Sequence, residues 1–200
     1  MDRLIAGYRS FRRDIWPDAR KRYETLARGQ SPETLVIACS DSRVDPATVF
    51  GARPGELFVV RNVAGLVPPY EPDRYHHGTS AALEYGVRVL KVPRIVVLGH
   101  AQCGGVRAMV EGVPPEAQDF VGPWLEIARP ALNGPGPAQG ANRLAHYETE
   151  VVRLTLGNLM SFPWIAEAVA EGRLGLHGFS FDIHTGVLSR LGQEGLEPVT

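Results

Sequence analysis

Residues 35–43 read LVIACSDSR, and residues 95–105 read IVVLGHAQCGG. In each segment a short run of apolar, mostly β-branched side chains ends at small or polar residues, which is typical of a buried strand in a parallel sheet. Ligands of such sheets bind beyond the carboxyl ends of the strands. If these two strands are neighbours, the polar side chains that follow them converge, and we expect a functional site at that edge.

The remaining pattern predicts an α/β fold with a mostly parallel central β-sheet flanked by helices. A third apolar run covers residues 57–60, and apolar side chains recur at helical spacing across residues 78–90. A strand, helix, strand order favours parallel strands joined by right-handed crossovers. Further helices are predicted at 104–110, 124–131, 142–159 and 163–171, and a C-terminal hairpin at 174–182 and 186–191.

Length and composition indicate a single domain over residues 1–200. Residues 1–28 are predicted to form a helical arm that is interrupted near Pro17. The arm carries an apolar stripe that either the same domain or a second subunit must cover: Leu4, Tyr8, Phe11 and Ile15. The Pro- and Gly-rich stretch at 112–140 is interpreted as an insertion within the domain, because a short helical pattern lies inside it.

The charge balance excludes some classes of partner. The chain has 21 Lys and Arg against 22 Asp and Glu, a formal net charge of −1. It therefore lacks the basic field that attracts nucleic acid or an acidic membrane. The first residues lack the apolar core of a signal peptide, and no apolar run approaches the length of a membrane span. We expect a cytoplasmic protein without nucleic-acid or membrane partners.

The chain has two cysteines, Cys39 and Cys103, and His100 precedes the second by three residues. Two thiolates and an imidazole are ligands typical of zinc, and three protein ligands leave one position for water, as in catalytic zinc sites. We therefore expect one Zn²⁺ per chain. Two alternatives stay open: a Cys39–Cys103 disulfide, or buried thiols and a hydrogen-bonded core histidine without a metal.

Asp41 and Arg43 follow Cys39 at a spacing that favours a common direction for their side chains. A surface ion pair of this kind contributes little to stability. Beside a metal-bound water, however, Arg43 would hold Asp41 ionised and away from the metal, and Asp41 would accept a hydrogen bond from the water and orient it. At the predicted helix start, the amides of Gly104 and Gly105 would favour the thiolate of Cys103.

These segments resemble the signature of the β-class carbonic anhydrases, in the manner of their plant-like branch with an open metal site. The similarity extends beyond the two quoted segments to residues 54–64, 67–70 and 78–85. The resemblance implies a lyase that reversibly hydrates carbon dioxide to bicarbonate and a proton by means of a zinc-bound hydroxide. It also implies Cys39, His100 and Cys103 as the ligands, with Asp41 and Arg43 as the catalytic pair.

The resemblance further implies a homodimer or homotetramer with the substrate pocket at a subunit interface and the N-terminal helices packed on the partner. The residues implied to bind substrate are Gln30, Phe58, Val63, Tyr85 and Gly104. Some bacterial members of the family carry an auxiliary bicarbonate site made from a Trp, an Arg and a Tyr. Arg61 matches the Arg, but Val36 and Phe181 occupy the other two positions, so this auxiliary site is not expected here.

Two other functions are compatible with the same ligands. The first keeps the fold and the zinc but hydrolyses carbon disulfide or carbonyl sulfide, which are linear and apolar like carbon dioxide. The second is a non-catalytic zinc-binding protein in which Asp41 permanently fills the fourth position. Against the second, a purely structural site gives no reason for Arg43 to compete for Asp41.

Overall fold

Six strands form one sheet in the computed structural model, which describes residues 1–73 and 75–200. In chain order they are β1 (Thr34–Cys39), β2 (Leu57–Asn62), β3 (Arg94–His100), β4 (Gly175–Phe181), β5 (Leu188–Leu191) and β6 (Leu196–Pro198). Their order across the sheet is β2-β1-β3-β4-β5-β6. The first four strands run parallel, and β5 and β6 are antiparallel to their neighbours.

The predicted α/β fold is confirmed, including the three apolar runs as parallel strands and the C-terminal hairpin. Strand β1 pairs directly with β3, with Ala38 opposite Leu98, so their carboxyl ends do meet at one edge of the sheet. The short strand β6 was not predicted from the sequence. It is exposed and contains Pro198, both of which weaken the strand pattern.

Helices form the N-terminal arm and lie in the connections between the parallel strands. The α-helices are α1 (Asp2–Ser10), α2 (Trp16–Leu26), α3 (Pro46–Val49), α4 (Gly78–Glu84), α5 (Gly104–Glu111), α6 (Val121–Leu125), α7 (Arg143–Leu159) and α8 (Pro163–Ala170). Wider π-helical turns occupy Phe11–Ile15 and Tyr85–Val89, and 3₁₀ turns occupy Val63–Gly65, Pro115–Ala117 and Glu126–Asn133. Among the described residues, no helix is both long and apolar enough to cross a membrane.

Side chains of the central strands alternate between two hydrophobic cores. Leu35 and Ile37 are fully buried in the larger core, whereas Val36 and Ala38 are fully buried in a smaller one on the opposite face. Because successive side chains in a strand point to opposite faces, Cys39 lies on the same face as Leu35 and Ile37. There it adjoins a third group of buried residues, to which α5 and α7 contribute.

Two glycines allow other elements to approach closely the edge of the sheet where β1 and β3 end, the candidate metal-binding edge. A Cβ at Gly99 would lie 2.5 Å from Cγ2 of Val152, so α7 packs against β3 immediately before His100. A Cβ at Gly105 would lie 2.9 Å from Cγ1 of Val63, so α5 packs against the turn that follows β2. Real side chains do not tolerate such contacts, and these two positions therefore fix the walls of the site.

The predicted N-terminal helical arm is confirmed. Its interruption is the π-helical turn at Phe11–Ile15, while Pro17 lies in the first turn of α2, where a proline is tolerated. Helix α2 is hydrogen-bonded to the rest of its own domain: Arg22 donates to the Pro54 carbonyl at 2.6 Å and to Glu56 at 3.1 Å. Helix α1 contains no buried residue.

Candidate metal centre

The structure brings Cys39, His100 and Cys103 together. Cys39 is the last residue of β1, His100 is the last residue of β3, and Cys103 immediately precedes α5. One ligand atom from each residue lies within 4.8 Å of the other two. The chain thus gathers two sulfurs and one imidazole at the carboxyl end of two adjacent parallel strands, where such sheets bind their ligands.

His100 is only 2% exposed, and its two ring nitrogens have different surroundings. Nδ1 lies 2.9 Å from the Ala101 carbonyl oxygen, which can only accept, so Nδ1 carries the proton. Nε2 is buried and has no hydrogen-bond partner within residues 1–73 and 75–200. Burial of a nitrogen lone pair without a hydrogen-bond partner costs free energy. The arrangement is typical of a metal-binding histidine, in which one ring nitrogen faces the metal and the other donates to a carbonyl.

The two cysteines are free and do not form the disulfide that the sequence left open. Their sulfurs are 3.9 Å apart, well beyond the ~2.05 Å of a disulfide bond. A hydrogen bond from the Cys103 thiol is the main cause that lowers the pKa of Cys39 to about 4, and the same contact raises the pKa of Cys103. The amides of Val106 and Gly105 act in the expected direction and lower the pKa of Cys103, but the effect of Cys39 is larger.

Two buried sulfurs and an unpartnered imidazole nitrogen fit a divalent metal ion with soft ligands. Such a set is typical of tetrahedral zinc and differs from the oxygen ligands that calcium and magnesium prefer. Three protein ligands leave one tetrahedral position for another group. The Asp41 carboxylate lies beside this cluster, with its Oδ2 3.9 Å from Nε2 of His100.

Asp41 is turned toward Arg43 and accepts hydrogen bonds from it through both oxygens. Arg43 donates from Nε to Oδ1 at 2.9 Å, from Nη2 to Oδ2 at 2.7 Å, and from its backbone amide to Oδ1 at 2.9 Å. These bonds hold the pKa of Asp41 well below its usual range. Arg43 also donates to the Gln102 carbonyl at 3.0 Å, which ties the pair to the loop that carries Cys103.

A buried carboxylate that the sequence analysis did not identify supports this loop. Oε1 of Glu148, on α7, accepts a hydrogen bond from the Cys103 amide at 2.8 Å. Burial raises the pKa of the Glu148 carboxyl above its ordinary value. The sequence signal that could have identified Glu148 is its position on the apolar face of α7, next to Tyr147 and one turn before Val151 and Val152.

We expect Glu148→Ala to lower the free energy of unfolding by about 1–3 kcal/mol, because it removes the acceptor of a buried amide and leaves that amide unsatisfied. Glu148→Gln keeps an acceptor oxygen of the same reach and is the matched control, with a smaller expected loss. Urea unfolding of the three proteins measures the difference. Equal stability of Glu148→Ala and the unmodified protein would contradict the role of this bond.

The five predicted substrate residues fall into two groups within one chain. Val63 and Gly104 adjoin the metal-binding edge, since Val63 contacts the start of α5 and Gly104 follows Cys103. Phe58 instead pairs with Leu35, which lies four residues before Cys39 in the same strand and hence about 13 Å away along it.

Tyr85 and Gln30 accompany Phe58 at this far end of the sheet. The Phe58 and Tyr85 ring centroids are 6.0 Å apart. Tyr85 and Gln30 line one cavity of about 790 Å³ together with Tyr23 and Leu26 of α2. The chain therefore does not bring Gln30, Phe58 and Tyr85 to its own metal-binding edge.

Comparison with known proteins identifies relatives of this chain. Residues 34–188 match the family model described as carbonic anhydrase. A carbonic anhydrase of Pseudomonas aeruginosa is 40% identical over 191 residues, which cover 94% of this chain and 86% of that protein.

Solved structures of carbonic anhydrases are also similar to this chain. The β-carbonic anhydrase CcaA has a TM-score of 0.88 and 30% identity, with coverage of 100% of this chain and 92% of that chain. One of two tetrameric β-carbonic anhydrases from the filamentous ascomycete Sordaria macrospora has a TM-score of 0.71 and 31% identity, with coverage of 100% and 95%.

Proposed function

Because this chain belongs to the β-class carbonic anhydrases, which reversibly hydrate carbon dioxide, we propose that Cys39, His100 and Cys103 hold its zinc ion and that Asp41 and Arg43 act beside it. The protein is an enzyme, a lyase. The observation that carries the assignment of the metal site is the buried, unpartnered Nε2 of His100 beside two thiols. When bound, zinc would acidify a water molecule and supply a nucleophile near neutral pH.

Asp41 is suited to orient that water for attack on carbon dioxide. An ionised carboxylate can only accept hydrogen bonds, so a water beside it must donate a hydrogen bond to it and turn a lone pair elsewhere. Arg43 bonds both carboxylate oxygens and so keeps Asp41 ionised and in a fixed direction. Oδ1 accepts two hydrogen bonds from Arg43, whereas Oδ2 accepts one and retains capacity for another, which leaves room for this role without breaking the ion pair.

We assign the substrate pocket to two copies of the chain. Val63 and the amide of Gly104 would come from the copy that supplies the metal ligands. Gln30, Phe58 and Tyr85 would come from the second copy, because within one chain they lie at the far end of the sheet. In this arrangement the apolar side chains accommodate carbon dioxide, while Gln30 and the Gly104 amide donate hydrogen bonds to bicarbonate.

The exposed arm supports self-association as a dimer or tetramer. Leu4 is 73% exposed and Tyr8 is 62% exposed, and both lie on one face of α1. An apolar stripe of this kind on a helix is usually covered by a packing partner. The related Sordaria macrospora enzymes are tetrameric.

We expect the double substitution Leu4→Glu with Tyr8→Glu to weaken self-association and to reduce carbon dioxide hydration more than about tenfold, because the pocket would lose the groups that the second copy positions. Ala6→Glu places a single negative charge on the opposite face of α1 and is the control for added charge. Sedimentation velocity and activity are measured at equal protein concentrations. A monomeric double variant with full activity would show that one chain contains the whole pocket.

Stopped-flow hydration of carbon dioxide, with a zinc count on the same sample, tests the proposed function. We expect about one zinc per chain and rapid hydration. Parallel assays with carbon disulfide and carbonyl sulfide test the hydrolase alternative, and a zinc-loaded protein without any of these activities would support the non-catalytic one.

We also make proposals on the domain organisation and the location of the protein. We interpret residues 1–200 as one domain with an insertion at 112–140, and limited proteolysis tests this by asking whether cleavage separates stable fragments. We place the protein in the cytoplasm without nucleic-acid or membrane partners, and fractionation of the source cells tests the location.

A further inference from the structure

Arg61 bonds the loop that connects the metal ligand Cys39 to helix α3. It lies on β2 opposite Ala38, one residue before the position that pairs with Cys39. Nε donates to the Cys39 carbonyl at 2.9 Å, and Nη2 donates to the Asp41 carbonyl at 2.6 Å and to the Val44 carbonyl at 2.9 Å. One guanidinium therefore holds the beginning, the middle and the end of the loop.

The Asp41 and Val44 carbonyls lie outside the regular strands and helices, and Cys39 is the last residue of β1. Within the loop itself, the Asp41 carbonyl also accepts the Val44 amide at 3.2 Å. The Ser40 amide still donates to the Asn62 carbonyl at 2.8 Å, which continues the pairing with β2 for one residue. Beyond that point, Arg61 supplies the contacts from β2. Its planar fork presents fixed donors in several directions, which an ammonium group on a flexible stem does not reproduce.

Arg61 bonds the backbone of the loop, whereas Arg43 bonds the Asp41 carboxylate itself. The Asp41 carboxylate and the Arg43 groups that bond it belong to the same short turn. If the backbone of that turn moved, the pair would move with it, so Arg43 fixes the direction of the carboxylate only while the backbone of Asp41 is itself fixed. The Arg61 bond to the Asp41 carbonyl meets this requirement.

The surroundings of Arg61 argue against a free anion-binding role. Three of its N–H donors are used by carbonyls, and Nη1 lies 3.6 Å from Oδ2 of Asp45. Val36 is fully buried on the same face of the sheet and has no group that could bind an anion.

We infer that Arg61 is a positioning residue for the Asp41–Arg43 pair and acts on turnover through the backbone of residues 39–44. The inference rests on the catalytic role proposed for Asp41. It adds a residue that touches neither the metal ligands' side chains nor the carboxylate.

Arg61→Gln is expected to lower kcat about 10–100-fold, the range typical when a hydrogen-bonded supporting residue of a metal site is removed. KM is expected to change little, because no substrate group contacts Arg61. Arg61→Lys keeps the positive charge and should recover only part of kcat. It provides a second variant for the test if Arg61→Gln fails to fold. The matched control is Arg94→Gln, since Arg94 lies in the same sheet and, among the residues that the structure describes, its side chain bonds Glu33 alone, at 2.8 Å.

Zinc content, melting temperature and a double-mutant cycle separate positioning from general damage. Both Arg61 variants should retain about one zinc per chain. In an Asp41→Asn background, Arg61→Gln should cost much less kcat than alone, because its effect passes through Asp41. Equal fold-losses in both backgrounds, full activity of Arg61→Gln, or a loss no larger than that of Arg94→Gln would each overturn the inference. If the unmodified protein failed to hydrate carbon dioxide, the proposed function itself would be wrong.

Discussion

Cys39→Ser is expected to remove both the bound zinc and the hydration of carbon dioxide. A serine hydroxyl stays protonated at neutral pH and is a poor ligand for zinc, whereas the pKa of Cys39 is already lowered to about 4, chiefly by the hydrogen bond from Cys103. The loss of activity should reach about 10³-fold or more, beyond the 10–100-fold typical of losing a supporting hydrogen bond. No described side chain other than Asp41 stands ready to replace the lost ligand, and Arg43 holds Asp41.

The measurement combines metal analysis, stopped-flow hydration and thermal unfolding of the same preparations. Ser40→Ala is the matched control, because Ser40 is the next residue of the loop and its exposed side chain makes no hydrogen bond within residues 1–73 and 75–200. The control should keep zinc and activity. A folded Cys39→Ser protein that hydrates carbon dioxide at the full rate without zinc would disprove the metal centre.

The position of the candidate metal centre follows from the sequence because strand patterns and ligand types are local signals. Buried strands end at Cys39 and His100, and a sheet of parallel strands places such ends together once β1 and β3 are neighbours. The pairing of Asp41 with Arg43 is local as well, since the two residues share one turn.

Contacts between distant segments could not be predicted in the same way. Glu148 lies 45 residues after Cys103, and a single glutamate on an amphipathic helix gives no indication of the amide that it will bond. Arg61 matched a family pattern for anion binding, but only the register of β2 against β1 shows that its guanidinium faces the loop after Cys39.

The division of the predicted substrate residues between two ends of the sheet is a third feature that the sequence alone did not predict. Similarity assigns Gln30, Phe58 and Tyr85 to a pocket, yet nothing in one sequence says which copy of the chain supplies each side chain. The distance along β1 between Leu35, opposite Phe58, and Cys39 supports the proposal that a second copy supplies them.

Asp41→Asn is expected to keep the zinc and to lower kcat by about 10²–10³-fold, comparable with the removal of one preorganised polar group from an active site. The amide has the size of the carboxylate and can still accept from the Arg43 backbone. It loses the negative charge, however, and its NH₂ group can donate to a water that Asp41 would orient by accepting from it. The ligand side chains are unchanged, so the zinc count should stay near one per chain.

The pH dependence of the unmodified enzyme provides an independent check on this role. Hydrogen bonds from Arg43 hold the pKa of Asp41 well below its ordinary value, so Asp41 stays ionised throughout the neutral range. Its contribution to stability is present above the pKa of the unfolded chain and is lost only as pH falls through the lower pKa of the folded state. Titration of Asp41 therefore should not shape the activity profile between about pH 6 and 9, and Asp41→Asn should lower kcat by a similar factor across that range.

Asp182→Asn is the matched control, because Oδ1 of Asp182 accepts the His184 amide at 2.7 Å in a turn like that of Asp41 and Arg43. An asparagine preserves that bond, so this variant should keep its activity. If Asp41→Asn hydrates carbon dioxide as fast as Asp182→Asn, orientation by Asp41 is not part of the reaction. If instead Asp41→Asn loses its zinc, the carboxylate stabilises the metal rather than the water, and the Arg43 bonds to both of its oxygens would need another explanation.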